Sequence, residues 1–169
     1  MNRILILGSC GSGKSTFAKK LHTILGLKLI HLDQAYWKPN WTEPTKEEWT
    51  QTLQQLLVQE NWIIDGNYSG SLDMRIERAN TIIYLNHPTW LCLFRVLKRV
   101  YKYFGTVRPD MPKGCKERLD WAFLHYVLVF KKVKGTKTLA KLKQISFDKT
   151  VLIFKNDSET EAYLLNLIH

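Results

Sequence analysis

The 169 residues predict one α/β domain of three layers built on a five-stranded parallel sheet, and two observations carry that expectation. Apolar runs of strand length alternate with stretches of helical period, and a glycine-rich turn separates the first run from the first helix. Strands divided by helices in this way pair in parallel.

The first strand is the apolar run from Arg3 to Leu7, and Ser15 to Leu25 follows as a helix with Phe17, Leu21 and Leu25 on one face. Lys28 to Leu32 is the second strand. Thr45, Glu47 and Glu48 open a helix carrying Trp49, Leu53, Leu56 and Leu57 at helical spacing. Trp62 to Ile64, bounded by Asp65 and Gly66, is the third strand, and Leu72 to Arg78 a brief helix. Thr81 to Leu85 is β-branched and reads as a strand buried on both faces. Pro88 suits the first turn of a long helix, because its missing N–H would be unpaired there anyway. Gly105 to Gly114, with two prolines and two glycines, is a loop, and Leu119 to Lys132 is helical. Val151 to Phe154 and Ser158 to Ile168 close the chain as strand and helix. With 45% apolar residues a single domain over residues 1–169 can bury its core without metal or disulfide staples.

Cysteine usage and charge narrow the class. Cys10, Cys92 and Cys115 are odd in number and widely spaced, which suits neither a disulfide framework nor a zinc site and suggests a reducing cytoplasm. The opening MNRILILG is too short in apolar residues for an export signal, and no stretch approaches the ~18 apolar residues of a membrane span. Residues 86–145 hold fourteen Lys or Arg against three Asp or Glu, so this block alone is +11 and the rest of the chain leaves the net charge at +10. Such a block attracts nucleotide phosphates, nucleic acid or an anionic surface, and segment 95–143 is accordingly a candidate nucleic-acid contact.

Gly8-Ser9-Cys10-Gly11-Ser12-Gly13-Lys14-Ser15 satisfies the pattern GxxxxGK[ST] between a strand and a helix, the context the phosphate loop requires. Its glycines let successive amide groups face a phosphate at the positive end of the next helix. These residues and Thr16 are therefore the expected ATP-binding set, with Lys14 reaching the β- and γ-phosphates and the Ser15 hydroxyl ligating magnesium. Cys10 serves as a small filler, although a thiol at a helix N-terminus can also be activated. The expected fold is thus a P-loop NTPase of the nucleotide-kinase type.

Triphosphate chemistry also needs a carboxylate near the metal, at the carboxyl end of a neighbouring strand. Asp33 ends the second strand and Asp65 the third, and both point toward the crevice of an open α/β sheet. Aspartate at either place also serves as a cap.

At these residues the chain resembles a family. His31-Leu32-Asp33, Tyr36-Trp37-Lys38-Pro39-Asn40-Trp41 and Asp65-Gly66-Asn67-Tyr68 are similar to the bacterial topology modulation proteins, an adenylate-kinase-related group of P-loop kinase-like NTPases. Arg95-Val96-Leu97-Lys98-Arg99, Arg108-Pro109-Asp110 and the stretch from Gly114-Cys115 to Asp120-Trp121 extend the likeness over nearly the whole chain. The resemblance implies that Asp65 orients magnesium-bound water and that Arg95 and Arg99 reach the phosphoryl groups from the helix before a lid. The arginine that follows the Asp-Gly pair in adenylate kinases is replaced by Asn67-Tyr68-Ser69, which argues against adenylate kinase activity.

Arg95, Lys98, Arg99 and Lys102 share one face of the helix after Pro88, with Leu91, Phe94, Leu97 and Tyr101 on the apolar face. Four cations on a stripe repel one another unless an anion sits among them, although a solvated basic face is the ordinary alternative. Arg108 in the loop is placed to close over ATP, making residues 88–145 a basic helical lid segment. For the phosphoryl acceptor, a small molecule, the candidates are Asp33 as general base with Trp37, Trp41, Asn67, Tyr68 and Arg75 around it. Trp37 and Trp41 can equally be packed cover, and Arg75 can pair with Asp73 or Glu77. The chain reads as a magnesium-ATP-dependent phosphotransferase, with a nucleotide-gated DNA-associated protein as its rival.

Overall fold

In the computed structural model, which describes residues 1–168, five strands form one sheet in the order β2-β3-β1-β4-β5. They are β1 (Arg3–Gly8), β2 (Leu29–His31), β3 (Trp62–Asp65), β4 (Thr81–Leu85) and β5 (Thr150–Phe154), and every neighbouring pair is parallel. Side chains alternate across a strand, so β1 sends Ile4 and Ile6 to one face and Leu5 and Leu7 to the other. Both faces are covered, which is why the central strands are apolar without alternation.

One face packs on α1 (Lys14–Leu25) and α8 (Asp157–Asn166) through Phe17, Ala18, Leu21 and Leu164. The other packs on α3 (Lys46–Leu57), α4 (Leu72–Arg78) and α7 (Thr136–Ile145) through Leu53, Leu57, Ile76 and Leu142. At the start of α3, Glu48 N donates to Thr45 Oγ at 3.2 Å and Thr45 N to Glu48 Oε2 at 2.8 Å. This reciprocal cap satisfies two donors that a helix start leaves unpaired.

Three elements differ from expectation. The second strand stops at His31, and α2 (Leu32–Tyr36) begins at once, so Asp33 stands in the first turn of a short helix. The lysine-rich stretch after α6 (Trp121–Phe130) is ordered as a π-helical turn, Lys131–Gly135, leading into α7, where Leu142 alone is fully buried among exposed lysines. In α5 (Thr89–Tyr103) the buried face is Cys92, Val96 and Val100, packed on Leu124 and Val127 of α6. The expected apolar face is exposed instead, Phe94 by 59% and Tyr101 by 89%. Two apolar stripes compete on this helix, and contact with the phosphate loop selects the one with small and β-branched residues. Among the described residues no helix is long and apolar enough to cross a membrane.

The register aligns Ile6 with Asp65 and His31 with Asp65, so the carboxyl ends of β1, β2 and β3 lie side by side. The strands on either side of β1 are reached by connections running in opposite directions, and the crevice this leaves at its carboxyl end is the ligand position of open α/β sheets.

Candidate active site

The loop between β1 and α1 wraps because Gly8, Gly11 and Gly13 hold φ of 141°, 79° and 90°. Gly13 caps α1, so the unpaired amides of the first helical turn face the loop's concavity. Gly11 has a second constraint: a Cβ there would lie 2.2 Å from the Cys92 carbonyl oxygen of α5. Absence of a side chain therefore lets α5 lie on the loop and brings its arginines over the crevice. Gly11→Ala is expected to cost about 2–4 kcal/mol through left-handed backbone strain and displacement of α5, read as a lowered urea midpoint. An unchanged midpoint would show that α5 can move away freely.

A cavity of 390 Å³ opens over this loop, lined among others by Gly13, Lys14, Ser15, Thr16, Lys19 and Arg95. Lys14 Nζ donates to Ser9 O at 2.8 Å, and the buried Ser12 hydroxyl has no partner. Loop amides and cations around one hollow are chemically suited to a polyphosphate. Ser15 and Asp65 both line it. Two oxygen donors fit magnesium, an ion that draws its remaining ligands from phosphate and water. Burial pushes the Cys10 thiol above its ordinary value, the opposite of the lowering that activates a thiol.

Asp65 is nearly buried, and His31 Nδ1 lies 2.7 Å from its Oδ1. Burial disfavours charge on His31, but the hydrogen bond and charge of Asp65 outweigh it and raise the imidazole's pKa. His31, which carried no role in the sequence reading, thus orients the carboxylate at the end of β3. Asp33 instead accepts a hydrogen bond from Tyr68 Oη at 2.7 Å. Burial, with the Asp33 charge, pushes the Tyr68 phenol far above its ordinary range and keeps it a donor.

Arg95, Arg99 and Arg108 all line the first cavity, each with a carboxylate partner. Arg95 pairs with Asp157 at the start of α8. Arg99 Nε and Arg108 Nε lie 3.3 and 2.6 Å from Glu117 Oε2, a buried carboxylate absent from the sequence reading. Lys98 and Lys102 are exposed. Arg95 Nη1 also lies 3.4 Å from Nδ1 of the buried His87, with Asp157 3.9 Å from the same ring nitrogen. Burial lowers the His87 pKa, outweighing Asp157, which favours the charged ring. A lowered folded value means that this stability is complete above the unfolded pKa near 6.5 and is lost as pH falls from there through the lower folded value. His87→Gln is accordingly expected to lose less stability than the natural chain between pH 7.5 and 5.5 in urea unfolding; equal losses would remove His87 as the cause.

A second, larger cavity of 1270 Å³ adjoins the first. Trp37, Trp41, Asn67 and Tyr68 line it, joined by Trp49, Phe123 and Tyr126, which lie in stretches read from sequence only as helical. Tyr36 meets Trp37, Trp49 and Tyr68 with ring centroids 5.1, 5.0 and 4.5 Å apart. Asn67 spends its amide elsewhere, donating from Nδ2 to Gly8 O at 2.7 Å and accepting from Gly8 N at 3.2 Å. It ties the loop after β3 to the phosphate loop rather than reaching for a ligand.

Arg75 requires the clearest correction. Its side chain is fully buried and does not line either cavity. Nη1 donates to Gly66 O at 2.8 Å, Nη2 to Tyr68 O at 2.8 Å and also to Asn67 O, and Nε to Ser71 O at 3.3 Å. Neither an acceptor phosphate nor the acidic neighbours Asp73 and Glu77 take this guanidinium; Asp73 pairs with Lys141. Burial pulls its pKa down to about 9, which leaves it charged at neutral pH.

The loop after α5 lies over the second cavity. Gln34 Nε2 donates to Pro109 O at 3.0 Å and Trp41 Nε1 to Lys116 O at 3.1 Å. Met111 and Cys115 of this loop are themselves buried. Lys131, Lys132, Lys137 and Lys143 of the basic segment are exposed and line neither cavity, whereas Lys134 lines the second.

Set against known proteins, the chain matches no family model and no curated protein sequence. Solved structures do match. A shikimate kinase from Acinetobacter baumannii in complex with shikimate aligns with a TM-score of 0.61 at 14% identity, over 99% of this chain and 91% of that one. A gluconokinase from Sinorhizobium meliloti aligns with 0.55 at 16%, over 99% and 91%. A deoxyadenosine kinase from M. mycoides with bound dATP aligns with 0.53 at 16%, over 100% of both. The chain therefore has the P-loop nucleotide-kinase fold, as its phosphate loop and five strands predict.

Proposed function

We propose that the protein is a magnesium-dependent phosphotransferase that moves the γ-phosphoryl group of ATP to a hydroxyl of a small acceptor. One observation carries this reading: Cys10, Lys14, Asp33, Gly66, Arg99 and Arg108 line both cavities. The hollow over the phosphate loop and the aromatic hollow thus share a wall bearing one carboxylate and three cations, the equipment for transfer between them.

In this reading Gly8 to Thr16 hold the β- and γ-phosphates, and Lys14, Arg95, Arg99 and Arg108 stabilise charge on the transferring group. Asp33, positioned by Tyr68, takes the proton of the acceptor hydroxyl. The hydroxyl oxygen bonds to the γ-phosphorus as the bond to the bridging oxygen breaks and ADP leaves. Magnesium, held by Ser15 and through water by Asp65, would neutralise the phosphate oxygens. Residues 88–145 act as a lid whose Glu117 holds two arginines ready over the junction, and the motifs quoted above support a relation to the topology modulation proteins. Kinase names among its structural neighbours support the reaction class.

The test is transfer from labelled ATP to a panel of nucleosides, nucleotides and small hydroxyl compounds. ATP binding without transfer to any of them would sink the proposal. A role on nucleic acid draws support only from the exposed lysines of the π-helical turn and α7, and the absence of a gel shift at low salt would exclude it.

A further inference from the structure

We infer that the acceptor is an uncharged hydroxyl compound of nucleoside type, a flat ring joined to a sugar, held by stacking rather than by ion pairs. This rests on the phosphotransferase reading and names the occupant of its second cavity.

The first reason is the wall. Tyr36, Trp37, Trp41, Trp49 and Tyr68 form a continuous aromatic surface, with successive ring centroids 4.5 to 5.3 Å apart. Phe123 and Tyr126 of α6 line the same hollow. Aromatic faces on this scale bind flat rings, whereas a saturated polyhydroxy acid needs a dense set of hydrogen-bonding groups. The volume of 1270 Å³ also exceeds what a single small ring occupies. Trp41 and Tyr68 hold positive φ of 61° and 29°, and with neighbouring Asn40 they are the non-glycine residues of that kind among those described. Strain of this sort, gathered on one cavity wall, is retained where surrounding structure fixes a site in advance.

The second reason is charge. An acceptor carrying phosphate or carboxylate calls for a guanidinium fork at the far end of its cavity. The one arginine buried behind the loop after β3, Arg75, has its donors spent on carbonyl groups. Arg99 and Arg108 stand at the junction and share Glu117, and Lys134 lies over the Tyr126 ring at 5.0 Å. Six cations line this hollow, Lys46 and Arg118 among them, against five carboxylates, Asp33 and Glu117 among them, so its charges nearly balance and draw an anion only weakly.

The third reason concerns selectivity. Stacking on the aromatic wall tolerates purine and pyrimidine alike, because every base offers a flat face. Since Tyr68 is part of the wall and also donates to Asp33, a stacked ring places its attached sugar hydroxyl toward the base. The step stays balanced as above: the hydroxyl proton goes to Asp33, the new bond is oxygen to γ-phosphorus, and ADP is released.

The experiment uses the full chain with adenosine, cytidine, 2′-deoxyadenosine, their 5′-monophosphates and a cyclohexane hydroxy acid. Tryptophan fluorescence reads binding, and labelled ATP with magnesium reads transfer. The nucleosides are expected to quench fluorescence and to be labelled with kcat/KM at least about 100-fold above the anionic compounds, and within about 100-fold of one another. Trp37→Ala should raise the nucleoside KM about tenfold while kcat stays within about threefold, and Trp37→Phe should restore it. Preferential labelling of a monophosphate or the hydroxy acid overturns this inference and leaves the phosphotransferase reading standing. Nucleosides that quench through Trp37 while no compound is labelled do the reverse. Nucleosides that neither quench nor accept label overturn the inference outright.

Discussion

Asp33→Asn is expected to lower kcat by about 10²–10⁴-fold while leaving ATP affinity nearly unchanged, because the carboxylate acts on the acceptor proton and not on the donor. Its position supports a large effect: Asp33 lines both cavities, and Tyr68 Oη fixes it from 2.7 Å. Asparagine keeps the shape and can still meet the phenol, so loss of the base is separated from loss of structure. Tyr68→Phe removes only the orienting hydrogen bond and should cost about tenfold. Steady-state kinetics with a nucleotide titration beside them checks both variants. If Asp33→Asn keeps kcat within about threefold, Asp33 is not the base, and Asp65 with its His31 partner becomes the carboxylate to test.

Arg75→Leu is expected to lower the free energy of unfolding by about 3–5 kcal/mol, a large share of what a domain of this size has. The carbonyl groups of Gly66, Asn67, Tyr68 and Ser71 would lose their donor in a place water does not reach. Because Tyr68 belongs to that loop, Asp33 would lose its orientation as well, and kcat should fall together with the urea midpoint. Arg75→Lys keeps the charge but offers a single nitrogen, so it should recover only part of the loss. A change below about 1 kcal/mol in the leucine variant would mean that solvent or backbone rearrangement replaces the guanidinium.

Both effects concern one connected structure. Arg75 holds the loop after β3, the loop carries Tyr68, Tyr68 aims Asp33, and Asn67 of the same loop grips Gly8. On the other side Gly11 lets α5 approach through Cys92, which sets where Arg95 and Arg99 point. Donor hollow, base and cations are thus positioned through backbone contacts that substitution of a single side chain can disturb from outside the cavities.

Much of this was legible before any coordinates. The phosphate loop, five strands in parallel, Asp33 just after β2 and Asp65 at the end of β3 depend on interactions within a few residues: side-chain period, glycine φ and the strand-to-helix turn. Trp37, Trp41 and Tyr68 could be placed near the crevice because they follow strand ends closely. The lysine-rich stretch hid α7, since its charge pattern drew attention from Leu139, Leu142 and Ile145 spaced along one side. The buried face of α5 was misread because Phe94, Leu97 and Tyr101 are larger than Cys92, Val96 and Val100, and hydrophobicity alone favours the larger set.

By itself the sequence determined the class of fold and the phosphate loop, because each follows from local periodicity and local backbone freedom. Only the tertiary structure decided which polar groups are spent and which are free. Arg95 finds Asp157, Arg99 and Arg108 find Glu117, and Arg75 finds four carbonyl groups, each choice made by which elements pack together. The physical reason is desolvation: a buried cation must be matched by whatever acceptor the packing leaves beside it, and spacing along the chain does not specify that neighbour.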